Sequence, residues 1–270
     1  MNKLLRYSAI LFPLLLLAAC EHDNTGKDIA CTPSGLSTYL IALYPFSNGS
    51  LQDISGNNRH LALVGAATPA TDREGNAQCA YAFDNRNATA YLIKSDPVFL
   101  NNLEECSISL WYMITDSLTN GANHYTLVSR DSTRSCPDRS GQWSLGLFDC
   151  SRAVFATSNS VWDKMVTQPF TSCQDEINAR YNSWHHAVAT YKRSTKTISL
   201  YRDGILQGTK TGDGICSGGS VPVIQDIGDL FLGHRFTGRL DDVALFSKVL
   251  NQQEVQALYN NTACCSAYVE

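Results

Sequence analysis

The segment GRLDDVALFSKVLNQQEVQALYN, from Gly238 to Asn260, carries two adjacent carboxylates, Asp241 and Asp242, in a stretch that otherwise alternates like a strand. Side chains on a strand alternate between faces, so Asp241 groups with Val243 and Leu245, and Asp242 with Leu240, Ala244 and Phe246. Whichever set is buried takes a carboxylate with it, and a buried carboxylate is costly unless something pairs with it. Something must therefore pair with that charge. The other residues with chemical potential are His185–His186, the acid pairs in NNLEECSISLW and SCQDEINARY, and the cysteines. Neighbours on a strand point to opposite faces, so none of these pairs converges on one reacting atom. No Gly-x-Ser-x-Gly elbow marks a serine nucleophile, and no Cys-x2-Cys pair marks a zinc site. The residues argue against catalysis.

Binding asks for less: an aromatic ring to stack on and a few polar groups beside it. Trp162 lies in SNSVWDKMVTQPF, a polar connection, with Asp163 and Lys164 next to it. It is the ligand-contacting candidate, with loop anchoring as the competing role. Trp143 follows the polar loop CPDRSGQ, whereas Trp111 and Trp184 stand in apolar strand patterns and are expected in the core.

The compartment is written at the N-terminus. MNKLLRYSAILFPLLLLAA has a basic start at Lys3 and Arg6 and an apolar run from Ala9 to Leu17 that is short for a membrane span and contains Pro13. It reads as an export leader. Leu17-Ala18-Ala19-Cys20 resembles the lipobox of bacterial lipoproteins. The resemblance implies a leader over 1–19, lipidation of Cys20, a lipid-anchored tether over 20–36, and an outer-membrane lipoprotein. The acidic start at Glu21 and Asp23 resembles the signal that sends some lipoproteins to the cell surface.

With Cys20 lipidated, Cys31, Cys79, Cys106, Cys136, Cys150, Cys173, Cys216, Cys264 and Cys265 remain as disulfide candidates, as expected outside the cytoplasm. That number is odd, so one thiol finds no partner within the chain. Cys136 and Cys150 bracket the loop before WSLGLFD and are expected to bridge locally. The 270 residues are 44% hydrophobic, enough for one core. The formal charge of −4 falls to about −6 once Lys3 and Arg6 leave with the leader, and no basic run invites nucleic acid.

The elements that position these residues are mostly strands. YLIALYPF, HLALVG, CAYAFD, AYLIKS, CSISLWYMIT, HYTLVSR, WSLGLFD, AVFATS, DLFLGH and GRLDDVALF are short alternating or apolar segments between turn residues. WHHAVATYKRSTKTISLYRDGILQGTK predicts three strands, with turns at Arg193 to Lys196 and at Asp203-Gly204. Only the end predicts a helix: Asn251 is its N-cap, Glu254 completes a capping box, and Val255, Leu258 and Tyr259 share a face. Many short strands with Gly and Asn turns imply an all-β antiparallel sandwich.

Three stretches match one family in order. LIALYPFSNGSLQDISGNNRHLALVG resembles the opening of laminin-G-like jelly-roll domains of the concanavalin A-like superfamily. WHHAVATYKRSTKTISLYRDG resembles their central hairpin, and GRLDDVALFSKVLNQQEVQALY their closing strand and helix. The resemblance implies a jelly-roll domain over 37–262, followed by a C-terminal tail over 263–270. It also implies a structural Ca²⁺ where the first strands meet the last, with Asp241 as a ligand, Asp53 as a second, and Asp242 as the alternate in the other register. In the competing reading Asp53 caps its own turn as an Asx motif and Asp241 bonds backbone N–H groups. Some relatives in the superfamily are glycosidases, and those resembling laminarinases carry Glu-x-Asp-x-x-Glu on one strand, which places acid and nucleophile on one face; this chain lacks the motif. The expected function is a surface-anchored, non-catalytic module that binds glycan or an envelope or extracellular protein. The alternatives are a glycoside hydrolase or other carbohydrate-active enzyme of the superfamily, and a structural adhesin or scaffold.

Overall fold

The alternating segments pair into two antiparallel sheets. The computed structural model describes residues 31–85, 89–116, 125–130, 142–148, 152–157, 163–164, 181–211 and 228–265. Its strands begin with β1 (Leu40–Tyr44), β2 (Ala62–Gly65), β3 (Thr68–Ala70), β4 (Ala80–Asp84) and β5 (Ala90–Lys94). Next come β6 (Glu105–Ile114), β7 (Tyr125–Ser129), β8 (Trp143–Phe148), β9 (Arg152–Thr157) and β10 (Asp163–Lys164). The last are β11 (Trp184–Lys192), β12 (Thr197–Arg202), β13 (Ile205–Thr211), β14 (Leu230–Leu232) and β15 (Thr237–Phe246). One sheet runs β13-β12-β11-β6-β15-β4-β3, with β1 also paired to β15; the other runs β10-β9-β8-β7-β14-β5-β2. This is the expected jelly-roll sandwich. The alternating segments did not include β3 and β10: β3 contains Pro69, which suits its place at a sheet edge, and β10 is two residues long.

The sheets enclose one apolar core that includes Leu110, Leu127, Leu145, Phe155, Leu240 and Val243. Burying each such side chain stabilises the fold by about 1.5–3 kcal/mol. A second cluster lies on the other face of the β1-containing sheet, where Leu36, Leu43, Ala244 and Phe246 pack with Val255 and Leu258. The latter two come from the helix α1 (Gln252–Tyr259), which has the predicted capping box: Asn251 accepts from the Gln253 and Glu254 N–H groups, and Glu254 accepts from Asn251 N–H. β1 serves both clusters, which is why LIALY is buried throughout rather than alternating.

The β12–β13 turn is the predicted two-residue hairpin. Asp203 (φ 51°) and Gly204 (φ 77°) are both left-handed, as a type I′ turn requires. A Cβ on Gly204 would also stand 3.1 Å from the Tyr259 ring, so this residue suits both the turn and the packing of α1.

Two disulfides, Cys31–Cys264 and Cys79–Cys265, tie both ends of the described chain to the sandwich. The tether expected to reach residue 36 is thus already held at Cys31, and Leu36 is buried in the second cluster. The stretch from 263, expected as a tail, is fastened through Cys264 and Cys265. Cys106 corrects the list of disulfide candidates: it lies in β6 opposite Tyr191 on β11, buried and free. Burial pushes its thiol up to about 12. Cys20, Cys136, Cys150, Cys173 and Cys216 lie outside the described residues, and with them the expected Cys136–Cys150 bridge.

Candidate functional site

The adjacent aspartates sit at a bulge. Asp241 pairs with Trp111 and Ala244 with Ser109, so β15 holds one residue more than β6 over this span. Asp242 takes up the extra residue with φ 45°. The bulge resets the parity: Leu240, Val243 and Leu245 all belong to the inter-sheet core, while Ala244 and Phe246 belong to the second cluster. Simple alternation would have sent the two carboxylates to opposite faces. Instead both meet one cation, Arg73, whose Nη1 donates to Asp241 Oδ2 and to Asp242 Oδ2 at 2.7 Å each.

Arg73 comes from the turn between β3 and β4. Asp72 builds that turn by accepting from Glu74 N–H, Asn76 N–H and the Asn76 amide. The guanidinium also lies over the Trp111 ring at 4.5 Å, and its Nη2 donates to Asn261 C=O at 3.2 Å. Trp111 stacks in turn on Tyr259 of α1. Asp242 Oδ2 accepts from Cys264 N–H, and Ala263 N–H donates to Glu74, so the disulfide-bound end closes over the centre. Burial pushes the Asp241 carboxyl well above the usual carboxylate range; the Asp242 charge adds to this, and Arg73 opposes it. Beside the pair is a cavity of ≈ 20 Å³ whose walls include Thr32, Ser109, Trp111, His186, Asp242 and Asn261. That is room for about one water.

Asp53 is elsewhere occupied. Its carboxylate accepts from the N–H groups of Leu43, Ser55 and Arg59, and its own N–H donates to His60 Nδ1. It is the Asx-type cap of its turn. A calcium ion liganded by Asp53 and Asp241 does not fit this arrangement. The first carboxylate is taken by three backbone donors, and a guanidinium stands against both Asp241 and Asp242. Asp72 lies within 4.8 Å of the sulfurs of Cys79 and Cys265, but these are bonded to each other and are not free ligands.

The two histidines diverge as their adjacency predicts. His185 Nδ1 pairs with Asp203 Oδ2 at 2.9 Å, and Asp203 Oδ1 accepts from His186 N–H, which braces the β11–β12 hairpin. Burial opposes the Asp203 charge, but the His185 hydrogen bond and charge hold its carboxyl below the usual range. His186 faces Trp111 and Tyr259, with Nε2 on Ser109 Oγ at 2.9 Å. Burial pushes its imidazole down to about 3, so it is neutral. Trp143 is buried in the inter-sheet core, while Trp111, expected there, belongs to the Arg73 centre. Trp162 lies outside the described residues, one position before β10.

The residue that sequence reasoning missed is Arg73. It is one arginine in the polar turn TDREGN, 168 residues from Asp241, and nothing in its local pattern announces a buried partner.

Residues 85–256 match the family described as the concanavalin A-like lectin/glucanases superfamily. No curated protein is significantly similar to the chain. Among solved structures, the botulinum neurotoxin serotype D binding domain is 17% identical with a TM-score of 0.60, over 83% of this chain and 52% of that one. The binding domain of botulinum neurotoxin DC in complex with rat synaptotagmin II is 17% identical with a TM-score of 0.58, over 83% and 52%. Domain 4 of an extracellular arabinanase from Geobacillus stearothermophilus, in complex with arabinotriose, is 17% identical with a TM-score of 0.57, over 82% and 98%. The chain spans about half the length of the toxin domains it matches. At such identities the likeness is one of fold.

Proposed function

Because the chain belongs to the concanavalin A-like lectin/glucanases superfamily, we propose that it is a non-catalytic binding module, held at the bacterial outer membrane by a lipid on Cys20, that recognises glycan. The observation that carries this reading is the employment of the acids and histidines that chemistry would need. Asp53 caps a turn, Asp241 and Asp242 hold Arg73, His185 braces a hairpin with Asp203, and His186 is buried and neutral. Each of these groups supports the sandwich. Recognition is then left to the surface of a rigid scaffold, and the sequence offers Trp162, next to Asp163 and Lys164, as a ring for a sugar face with polar neighbours for its hydroxyls. The arabinotriose complex of one structural relative favours glycan, and the synaptotagmin complex of another makes protein the second reading. Structural calcium has less support than lipidation, since the aspartates proposed to bind it have other partners.

The test is a glycan array probed with the protein lacking its leader, with a pull-down from the native envelope beside it. Saturable glycan binding that Trp162→Ala abolishes is the expected result. A stable protein partner without glycan binding would move the reading to a protein receptor, and turnover of a polysaccharide would overturn the non-catalytic reading.

A further inference from the structure

We propose that Arg73 is the resident cation of the β15 bulge, standing where a metal ion would otherwise sit, and that its removal turns the aspartate pair into a divalent-cation site. Three oxygens converge on the guanidinium: Asp241 Oδ2 and Asp242 Oδ2, each 2.7 Å from Nη1, and Asn261 C=O, 3.2 Å from Nη2. Carboxylate and carbonyl oxygens are the donors that a hard divalent ion takes. The other oxygen of each carboxylate, Asp241 Oδ1 and Asp242 Oδ1, is buried and has no hydrogen-bond partner. The Asp241 side chain is only 1% exposed, so its second oxygen is not answered by open solvent.

The charges support the same assignment. Two carboxylates and one guanidinium leave the pair formally negative even with Arg73 in place, and without Arg73 the two carboxyl groups would face each other with no cation between them. The guanidinium adds two things a metal ion would not. Its flat face rests on Trp111 at 4.5 Å, a cation–π contact that links the centre to α1 through the Trp111–Tyr259 stack. It also arrives on a turn of the chain itself, so closure of β15 against the β3–β4 turn needs no ion from outside. The Arg73 side chain is 7% exposed, and truncating it vacates space beside the ≈ 20 Å³ cavity that Asp242 and Arg73 both line.

The experiment is thermal melting of the purified full-length protein in chelator and in millimolar Ca²⁺, for the parent, Arg73→Ala, Arg73→Lys and the double variant Arg73→Ala/Asp241→Asn. The parent and Arg73→Lys should melt at the same temperature in both media. Arg73→Ala should melt lower in chelator and recover by about 5 °C in Ca²⁺, as ligand binding to the native state alone requires. The double variant should lose that recovery. If Arg73→Ala does not fold in chelator, its refolding yield with and without Ca²⁺ reads the same effect. A parent melting temperature that falls in chelator would overturn the proposal, because a metal would then coexist with Arg73. So would an Arg73→Ala protein indifferent to Ca²⁺ in both melting and refolding.

Discussion

Asp53 and the Asp241–Asp242 pair are both carboxylate centres inside the same sandwich, answered in opposite ways. Asp53 is satisfied by neighbours: the N–H groups of Leu43, Ser55 and Arg59 lie within ten residues of it, and the chain curls around the carboxylate. The Asp241–Asp242 pair is satisfied at long range, by a guanidinium from the β3–β4 turn, with the disulfide-bound end bonding Asp242 as well. The first arrangement distributes one charge over several neutral donors. The second sets two carboxylates on one guanidinium, and removing that shared partner strands both. The two centres should therefore fail very differently.

The largest contrast is expected between Arg73→Met and Asp53→Asn. Arg73→Met keeps an apolar stem against Trp111 but leaves two buried carboxylates without their cation, which should cost about 3–5 kcal/mol. Asp53→Asn retains one acceptor oxygen for the turn and should cost less, about 1–2 kcal/mol. Urea unfolding of both variants measures the difference. Equal losses would show that the long-range centre is no more critical than the local cap.

A pH titration sharpens the comparison, because His186 lies beside the long-range centre. Its folded-state pKa of about 3 is below the usual 6.5, so the unfolded chain takes up the proton first. His186 therefore makes stability fall as pH drops below about 6.5, until the folded-state value is reached. At pH 5 the loss amounts to about 2 kcal/mol. Asp241 works the other way: its raised carboxyl pKa makes the folded state the better proton acceptor, which favours folding as pH falls toward the usual carboxylate value. His186→Gln should remove the histidine part alone. Urea midpoints at pH 7 and pH 5 should thus show a smaller acid loss, or a gain, in the variant than in the parent. An identical acid response in the two proteins would place the sensitivity elsewhere.

The smallest effect belongs to a second local device. Asn251→Ala removes the cap of α1, with its bonds to Gln253 and Glu254, and should cost about 1 kcal/mol. Thermal melting measures it. A loss as large as that of Arg73→Met would mean that the helix, rather than the ion pair, holds the second cluster together.

The devices that could be read from sequence are those whose partners are close in the chain. The Asp203-Gly204 hairpin and the Asn251–Glu254 capping box follow from residue type and spacing over a few positions, and so does the turn cap at Asp53, which stood as the competing reading to a calcium ligand. The alternating segments predicted the sandwich because burial on one face imposes a period of two. β3 escaped because Pro69 and its short length erase that signal. The ends of the sandwich at Cys31, Cys264 and Cys265 are not legible in the sequence, because no local feature says where these cysteines find their partners.

By itself, then, the amino-acid sequence determined most of the stretches that become strands, the Asp203-Gly204 turn, how α1 starts, and that a buried carboxylate near Asp241 needed a partner. Only the tertiary structure decided what that partner is. A single bulged residue at Asp242 changes the parity of β15 and brings both carboxylates to one side, and such a bulge follows from how β15 fits beside β6, β1 and β4. Sheet pairing then delivers Arg73 from 168 residues away, and the disulfides close the end over it. Strand periodicity is a local property of backbone geometry, whereas the partner of a buried ion is chosen by every contact that folds two distant turns onto the same face.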